Sequence, residues 1–172
     1  VIKIRTEARE DYSEVYELNY QAFGNRDDES KLVERIRNSE HFVPELSIVA
    51  ELNNEIVGHL LLSKASVVNS ENHQNVIVLA PIAIKPPYQK QGIGSQLIHE
   101  GKKRCKEQGY GIILLIGHPS YYPKFGFMPA GDYGIELKQF KVPNEVFMVC
   151  EVIEGELQKC KGELIYPPTF FN

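Results

Sequence analysis

At 172 residues the chain is long enough for one domain with a sizeable core and too short for two comfortable ones. Its 42% hydrophobic and 24% charged content is that of an ordinary folded protein. The formal net charge of -4 argues against a dedicated nucleic-acid binder, and no membrane-length apolar run or secretory leader is present, so the expectation is a soluble, cytoplasmic protein with no membrane partner. Cys105, Cys150 and Cys160 are scattered, none in a C-x-x-C, which fits reduced thiols better than a disulfide frame or a zinc site.

Residues 1–7 alternate Ile2, Ile4 and Thr6 with Lys3, Arg5 and Glu7, a period of two that predicts a strand. Val15, Leu18, Ala22 and Phe23 recur at helical spacing over 10–23. Leu32, Val33 and Ile36 do so over 27–39, where Asp27, Asp28 and Glu29 crowd the positive end of the helix. The stretches 46–52 and 55–68, joined by Asn53-Asn54, predict a hairpin. Residues 75–84 form a nearly continuous apolar run, which predicts a central strand covered on both faces and ended by Pro86-Pro87.

A helix over 92–108 follows, with Ile93, Leu97, Ile98, Gly101 and Cys105 along one face and Gly109 as terminator. Residues 111–117 predict another buried strand, 119–127 a short turn or helix, and 144–167 two strands with a turn at Gly155 or Gly162. Repeats, low-complexity segments and linkers are absent. The pattern predicts one α/β domain over 1–172, with a β-α-β unit (75–84, 92–108, 111–117) at its centre.

The turn at 88–97, YQKQGIGSQL, joins a buried strand to a helix N-terminus through two glycines. Unpaired N–H groups and the positive end of the helix dipole make such a turn an anion site, and glycine lets the backbone approach a phosphate closely. Gly92 and Gly94 equally suit a turn that is merely tight. No Lys follows Gly94, which excludes a Walker loop, and position 97 is Leu, which excludes the G-x-G-x-x-G dinucleotide fingerprint.

What remains, Gln89-x-x-Gly92-x-Gly94, resembles the Gln/Arg-x-x-Gly-x-Gly/Ala signature of the GNAT superfamily of N-acetyltransferases. YYPKFGF at 121–127 resembles the Tyr-x-x-x-Gly-Phe segment that ends that family's CoA-binding core, and the tail looks like a subgroup of small bacterial members with a YYxxFGF ending. The order of elements agrees over essentially the whole chain. The resemblance implies a GNAT-like fold of α/β (α+β) class: a mixed, mostly antiparallel sheet flanked by helices and splayed between strands 75–84 and 111–117. It implies acetyl-CoA as cosubstrate, with its pyrophosphate on Gln89, Lys90, Gln91, Gly92, Ile93, Gly94 and Ser95. The pantetheine arm would lie against the backbone of Ile82, Ala83 and Ile84. Acetyl would pass directly to a primary amine acceptor, with neither a metal nor an enzyme nucleophile.

Two protons must move in such a transfer. A lysine-like amine near pKa ~10.4 costs about 4 kcal/mol to deprotonate at neutral pH, an α-amine near ~8 roughly 1 kcal/mol. A phenol of pKa ~10 facing a thiolate near ~8.5 is uphill by about 2 kcal/mol. The resemblance makes Tyr122 the candidate general acid, with Tyr121 as its packing neighbour; a core aromatic is the alternative. The core strand 75–84 lacks Asp and Glu, a departure from many family members, which leaves His118 and Glu29 as candidate bases. Each has a plainer reading, His118 as a strand-end histidine and Glu29 as a solvated helix-start charge.

His41, His59, His73 and His99 lack metal-ligand spacing and read as structural. The basic run 102–106 reads as a solvated face that also suits the 3′-phosphate of CoA; a nucleic-acid-binding module is a third reading carried by that run alone. The missing core-strand carboxylate leaves a non-catalytic acyl-CoA sensor as the rival to an enzyme. Acceptor identity and oligomeric state are not encoded in any motif.

Overall fold

The computed structural model describes residues 1–171. In chain order the elements are β1 (Lys3–Thr6), α1 (Tyr12–Ala22), α2 (Asp28–Arg37), β2 (Phe42–Leu52), β3 (Glu55–Val68), β4 (His73–Ile84), α3 (Ile93–Glu107), β5 (Ile112–Ile116), β6 (Met128–Pro129), β7 (Ile135–Glu136), β8 (Phe147–Glu151), α4 (Glu156–Lys159) and β9 (Gly162–Ile165). Short 3₁₀ turns fill several connections. The architecture is a mostly antiparallel mixed sheet with flanking helices, as the sequence implies. None of the described helices is long and apolar enough to cross a membrane.

Contacts divide the chain into two compact units, and the long strands β3 and β4 contribute to both. The first comprises residues 1–63, 80–104 and the C-terminal segment from Pro168. Here β1 pairs antiparallel with β2 (Ile4↔Ala50) and β2 with β3 (Ile48↔Leu60). Asn53 (φ 51°) and Asn54 (φ 64°) turn the β2–β3 hairpin in the left-handed region that asparagine tolerates. On one side Val15 and Leu18 of α1 pack with Val49, Ile56 and Ala83, while Val33 and Ile36 of α2 pack on Leu61 with Phe170. Helix α3 meets β3 through glycine. A Cβ at Gly58 would lie 3.1 Å from side chains of Ile84, Ile93 and Leu97, and one at Gly101 would lie 2.8 Å from Leu60 and Leu62.

The second unit comprises Lys64–Leu79 and Cys105–Pro167. β4 runs parallel to β5 (Ile77↔Ile113, Val78↔Leu114), and this crossover through α3 is the expected β-α-β unit. β8 lies antiparallel to β5 over five pairs and also carries β6, while β9 pairs with β3 and β7. The end of α3 is closed by left-handed Gly109 (φ 85°), with Tyr110 N donating to Cys105 O (2.8 Å) and Gly109 N to Lys106 O (3.1 Å), a Schellman cap. Burial pushes the Cys105 thiol up to about 12 and that of Cys160 up to about 11.

Two expectations need correction, and two strands have no counterpart among the predicted elements. Strand 75–84 is covered on both faces only over Val76–Leu79; over 80–84 the alternation returns, with Pro81 and Ala83 buried and Ile82 and Ile84 half-buried. Gly162 makes no turn: it begins β9, and a side chain there would run into the Val68 carbonyl. Gly155 (φ 90°) instead opens the one-turn helix α4 between β8 and β9. β6 and β7 have two residues each, too few for a period of two to register in the sequence.

Candidate active site

The turn from β4 into α3 lies wholly within the first unit. Pro86–Tyr88 form a single 3₁₀ turn, which the fixed proline φ favours, and Tyr88 N donates to Lys85 O (2.8 Å). Lys90 (φ 64°) and Gly92 (φ 86°) then both adopt the left-handed conformation, and α3 starts at Ile93. Gly92 is needed for its φ, which L side chains rarely adopt; the space around it is open, since a Cβ there would meet no atom within 4 Å.

Gln89, Lys90, Gln91 and Gly92 are exposed, Gly94 and Ser95 half-buried, and Ile93 is buried as the anchor of the helix. The first bond from the turn into α3 is Gln96 N to Gly92 O (3.2 Å). Among the described residues the N–H groups of Lys90 through Ser95 have no protein acceptor. They are a row of unused donors at the positive end of a 15-residue helix, a geometry that suits an anion. The glutamines brace the turn rather than point at a ligand: Gln89 Nε2 donates to Ile84 O (3.1 Å) and Gln91 Nε2 to Pro87 O (3.2 Å). Upstream, Ile82, Ala83 and Ile84 continue β4 into the turn, so the structure brings all ten sequence-predicted cofactor residues together on one continuous segment.

Sequence reasoning missed the support beneath this turn. Glu55, at the start of β3, accepts hydrogen bonds from Lys85 Nζ and from Tyr88 OH (3.4 Å), and Lys85 N donates to Val57 O (2.8 Å). Nothing in the local pattern links residue 55 to residues 85–88; only the fold does. In the basic run, Arg104 is committed elsewhere: its guanidinium pairs with Glu100 (2.8 Å) and donates to Thr6 Oγ1 (2.7 Å) and Glu45 O (2.8 Å).

Tyr122 lies in the second unit, on the 3₁₀ turn Tyr122–Phe125, which left-handed Gly126 (φ 92°) terminates. Its ring meets Tyr121 and Phe127 edge-on, with centroids 5.1 and 5.9 Å apart. Gly117 makes room for it, since a Cβ there would collide with the Tyr122 ring. The hydroxyl has no protein partner among the described residues. Burial of the ring pushes the phenol up to about 12, with Tyr121 adding to the rise. The phenol therefore stays protonated, and full proton transfer to a thiolate near ~8.5 is uphill by roughly 5 kcal/mol, more than an ordinary tyrosine would face.

His118 is exposed, its Nδ1 2.9 Å from Ser120 Oγ, and its carbonyl accepts from Tyr121 N (3.2 Å). Glu29, in the first turn of α2, is held through both oxygens by Arg26 (2.5 and 3.2 Å).

A second polar concentration lies under α1 and α2. Glu7 and Arg37 pair at 2.7 Å with side chains 1% and 8% exposed, and Arg37 stacks on Tyr12 at 3.8 Å. Ser47 Oγ donates to Glu7 Oε1 (2.8 Å) and lies 3.0 Å from His59 Nε2, while Asn19 Nδ2 lies 3.4 Å from His59 Nδ1. Since the Ser47 proton goes to Glu7, His59 donates from Nε2 and accepts at Nδ1, the neutral tautomer. Burial holds His59 down at about 4, Glu7 opposing and Arg37 adding. Ser, His and Glu meet here, yet Ser47 and His59 are at most 1% exposed and the serine proton is spent on the carboxylate. The cluster is structural, as the sequence reading of His59 expects. Among the described residues no group of three or more His, Cys, Asp and Glu side chains is placed to hold a metal.

Comparison with known proteins agrees with the geometry. The sequence model of the acetyltransferase (GNAT) family matches residues 7–127. The uncharacterized N-acetyltransferase YjhQ of Escherichia coli (strain K12) is 33% identical over 138 residues, covering 80% of this chain and 75% of that protein. The uncharacterized N-acetyltransferase YhbS of the same strain is 27% identical over 144 residues, 84% of each chain. The crystal structure of YhbS in complex with CoA superposes with a TM-score of 0.91 at 26% identity, over 99% of this chain and 92% of that one. A GNAT-family acetyltransferase from Brucella melitensis, solved with acetyl-CoA, shares the fold at a TM-score of 0.78 and 24% identity, over 99% and 98% of the two chains. With the signature on its turn, the fold around it and a family match spanning most of its length, the chain belongs to the GNAT family of acetyltransferases.

Proposed function

We propose that the protein transfers an acetyl group from acetyl-CoA directly to the amine of an acceptor, binding the cofactor's pyrophosphate on the turn Gln89–Ser95. The observation that carries this is the row of N–H groups from Lys90 to Ser95, without protein acceptors among the described residues, at the start of α3. The binding of CoA by YhbS and of acetyl-CoA by the Brucella protein supports the same cofactor here. Ile82, Ala83 and Ile84 offer backbone groups to the pantetheine amides, and half-buried Ile82 and Ile84 give them an apolar side.

Tyr122 is assigned to the leaving sulfur. With its phenol at about 12, it acts by donating a hydrogen bond to the developing thiolate rather than by early loss of its proton. His118 is the preferred base, since its side-chain partner among the described residues is Ser120, whereas Glu29 is tied to Arg26. Balance is simple: the amine nitrogen bonds to the acetyl carbon, the carbon–sulfur bond breaks, the amine's proton leaves through His118 or water, and the thiolate, held by the Tyr122 hydrogen bond, takes up one proton from water, so that one proton is released and one consumed per turnover.

The test is acetyl-CoA turnover against a panel of primary amines, read as CoA release. Tyr122→Phe should lower the chemical step about ten-fold or more with CoA affinity unchanged. His118→Ala should remove the basic limb of the pH–rate profile, with the greater loss for high-pKa amines. Turnover unaffected by Tyr122→Phe returns that residue to packing. Loss of the limb in Glu29→Gln alone moves the base to α2.

A further inference from the structure

We propose that Glu55 is a positioning residue for the cofactor turn, fixing where the donors of residues 90–95 stand without touching the cofactor itself. This rests on the pyrophosphate reading above.

The turn's internal bonds are local. Gln89 and Gln91 reach back to Ile84 O and Pro87 O, and Gln89 N donates to Pro86 O (3.3 Å). Such bonds keep the turn's own shape but do not set its direction relative to the sheet. Glu55 supplies that reference beside the single backbone bond from Lys85 N to Val57 O (2.8 Å). It sits where β3 leaves the Asn53-Asn54 turn, on a strand held by antiparallel pairing with Leu52. The neighbouring Ile56 N donates to Glu14 Oε2 (2.8 Å), which fastens this end of β3 to α1.

From that fixed point one carboxylate grips Lys85 and Tyr88, the residues just before and at the end of the Pro86–Tyr88 turn. Two attachments orient a short rigid turn where one would let it swing. Lys90 and Gly92 in left-handed conformation follow within four residues of Tyr88, so a swing at 85–88 is passed to the donors. The Lys85 ammonium holds the Glu55 carboxyl below the usual carboxylate range, so the grip persists at neutral pH. Lys85 also neutralises a carboxylate that would otherwise repel an incoming pyrophosphate. The same partnership keeps Lys85 from serving as a free phosphate ligand.

The test is calorimetric titration of CoA into wild type, Glu55→Gln, Lys85→Met, the double variant and Gly92→Val, with thermal melts as the folding check. Glu55→Gln, which alters both attachments, should weaken CoA three- to ten-fold at near wild-type melting temperature; Lys85→Met, which removes only the Lys85 attachment, should weaken it at least two-fold and no more than Glu55→Gln does. The double variant should be no weaker than Glu55→Gln, because the Lys85 attachment is lost in both. With any amine that proves to be a substrate, the KM for acetyl-CoA should rise while kcat stays within two-fold. If Glu55→Gln does not fold, Lys85→Met still removes one of the two attachments from the other side. Unchanged or tighter CoA binding in folded Glu55→Gln or Lys85→Met, with binding lost in Gly92→Val, overturns the positioning role and leaves the cradle standing. Full CoA affinity in Gly92→Val, or none in wild type, removes the cradle reading and the role of Glu55 with it.

Discussion

The turn at 85–95 and the cluster under α1 and α2 are both rich in polar groups, but their states are opposite. In the cluster, Glu7, Arg37, Ser47 and His59 are spent on one another, with Ser47 and His59 fully buried and the Glu7 and Arg37 side chains 1% and 8% exposed. On the turn the exposed side chains of Gln89 and Gln91 are bonded back to the chain, while the backbone donors of 90–95 are unused among the described residues. A serine, a histidine and a carboxylate within hydrogen-bonding reach do not make a site when each is satisfied and enclosed. A row of plain amides does when none is. On the function proposed above, the cluster serves stability and the turn serves binding.

Breaking the cluster should therefore cost stability and spare binding. Arg37→Met leaves the Glu7 carboxylate buried without its cation, an expected loss of about 3–5 kcal/mol in denaturant unfolding. CoA affinity of the folded fraction should stay at the wild-type value. A parallel fall in affinity would show that the two regions are not separable.

The pH dependence sharpens the same contrast. His59 has a folded pKa of about 4 against 6.5 for the ordinary group, so between these values the unfolded chain binds more protons. Stability is then fully present above about 6.5 and is lost as pH falls toward 4. Between pH 7 and 5 the expected loss is about 2 kcal/mol, seen as a falling melting temperature, and His59→Gln should flatten that slope. An equal slope in the variant would assign the acid sensitivity to other groups.

The smallest effect belongs to the turn, where binding should fall in both variants that follow and stability should hold in the asparagine one, valine adding backbone strain. Gly92→Val and Gly92→Asn both place a side chain where the phosphate approaches, but asparagine tolerates the left-handed backbone that valine resists. Both should weaken CoA at least ten-fold, about 1.4 kcal/mol, if the open space is what matters. Wild-type affinity in Gly92→Asn would instead make conformation the reason for glycine.

Whatever depends on contiguous residues was legible in the sequence. The signature at 89–94, the Asn53-Asn54 hairpin, the face of α3 and its Gly109 cap all rest on neighbours within a turn or two. Glu55 with Lys85, and Glu7 with Arg37 and Ser47, join residues thirty to forty positions apart, and no periodicity marks such pairs. Over Ala80–Ile84 apolar content suggested full burial because composition does not report where a strand loses one of its covers. Tyr122 was identified by its motif, but its raised pKa came from burial by Tyr121 and Phe127 and could be seen only once the ring had neighbours.

The glycines that seat α3 against β3 have an engineering consequence. At Gly58 and Gly101 even a methyl group meets side chains at 3.1 and 2.8 Å, so the helix has no room to accept larger residues along this seam. Ile93, the first residue of the helix and the anchor of the turn, rides on the same seam. Remodelling there would shift every donor together and risk the fold. Gln89, Lys90 and Gln91 are exposed and lie off that seam, although Gln89 and Gln91 brace the turn on Ile84 O and Pro87 O. On the proposed pyrophosphate reading, substitutions at Lys90 should retune cofactor grip at little cost in stability, so grip and foldedness are adjustable separately.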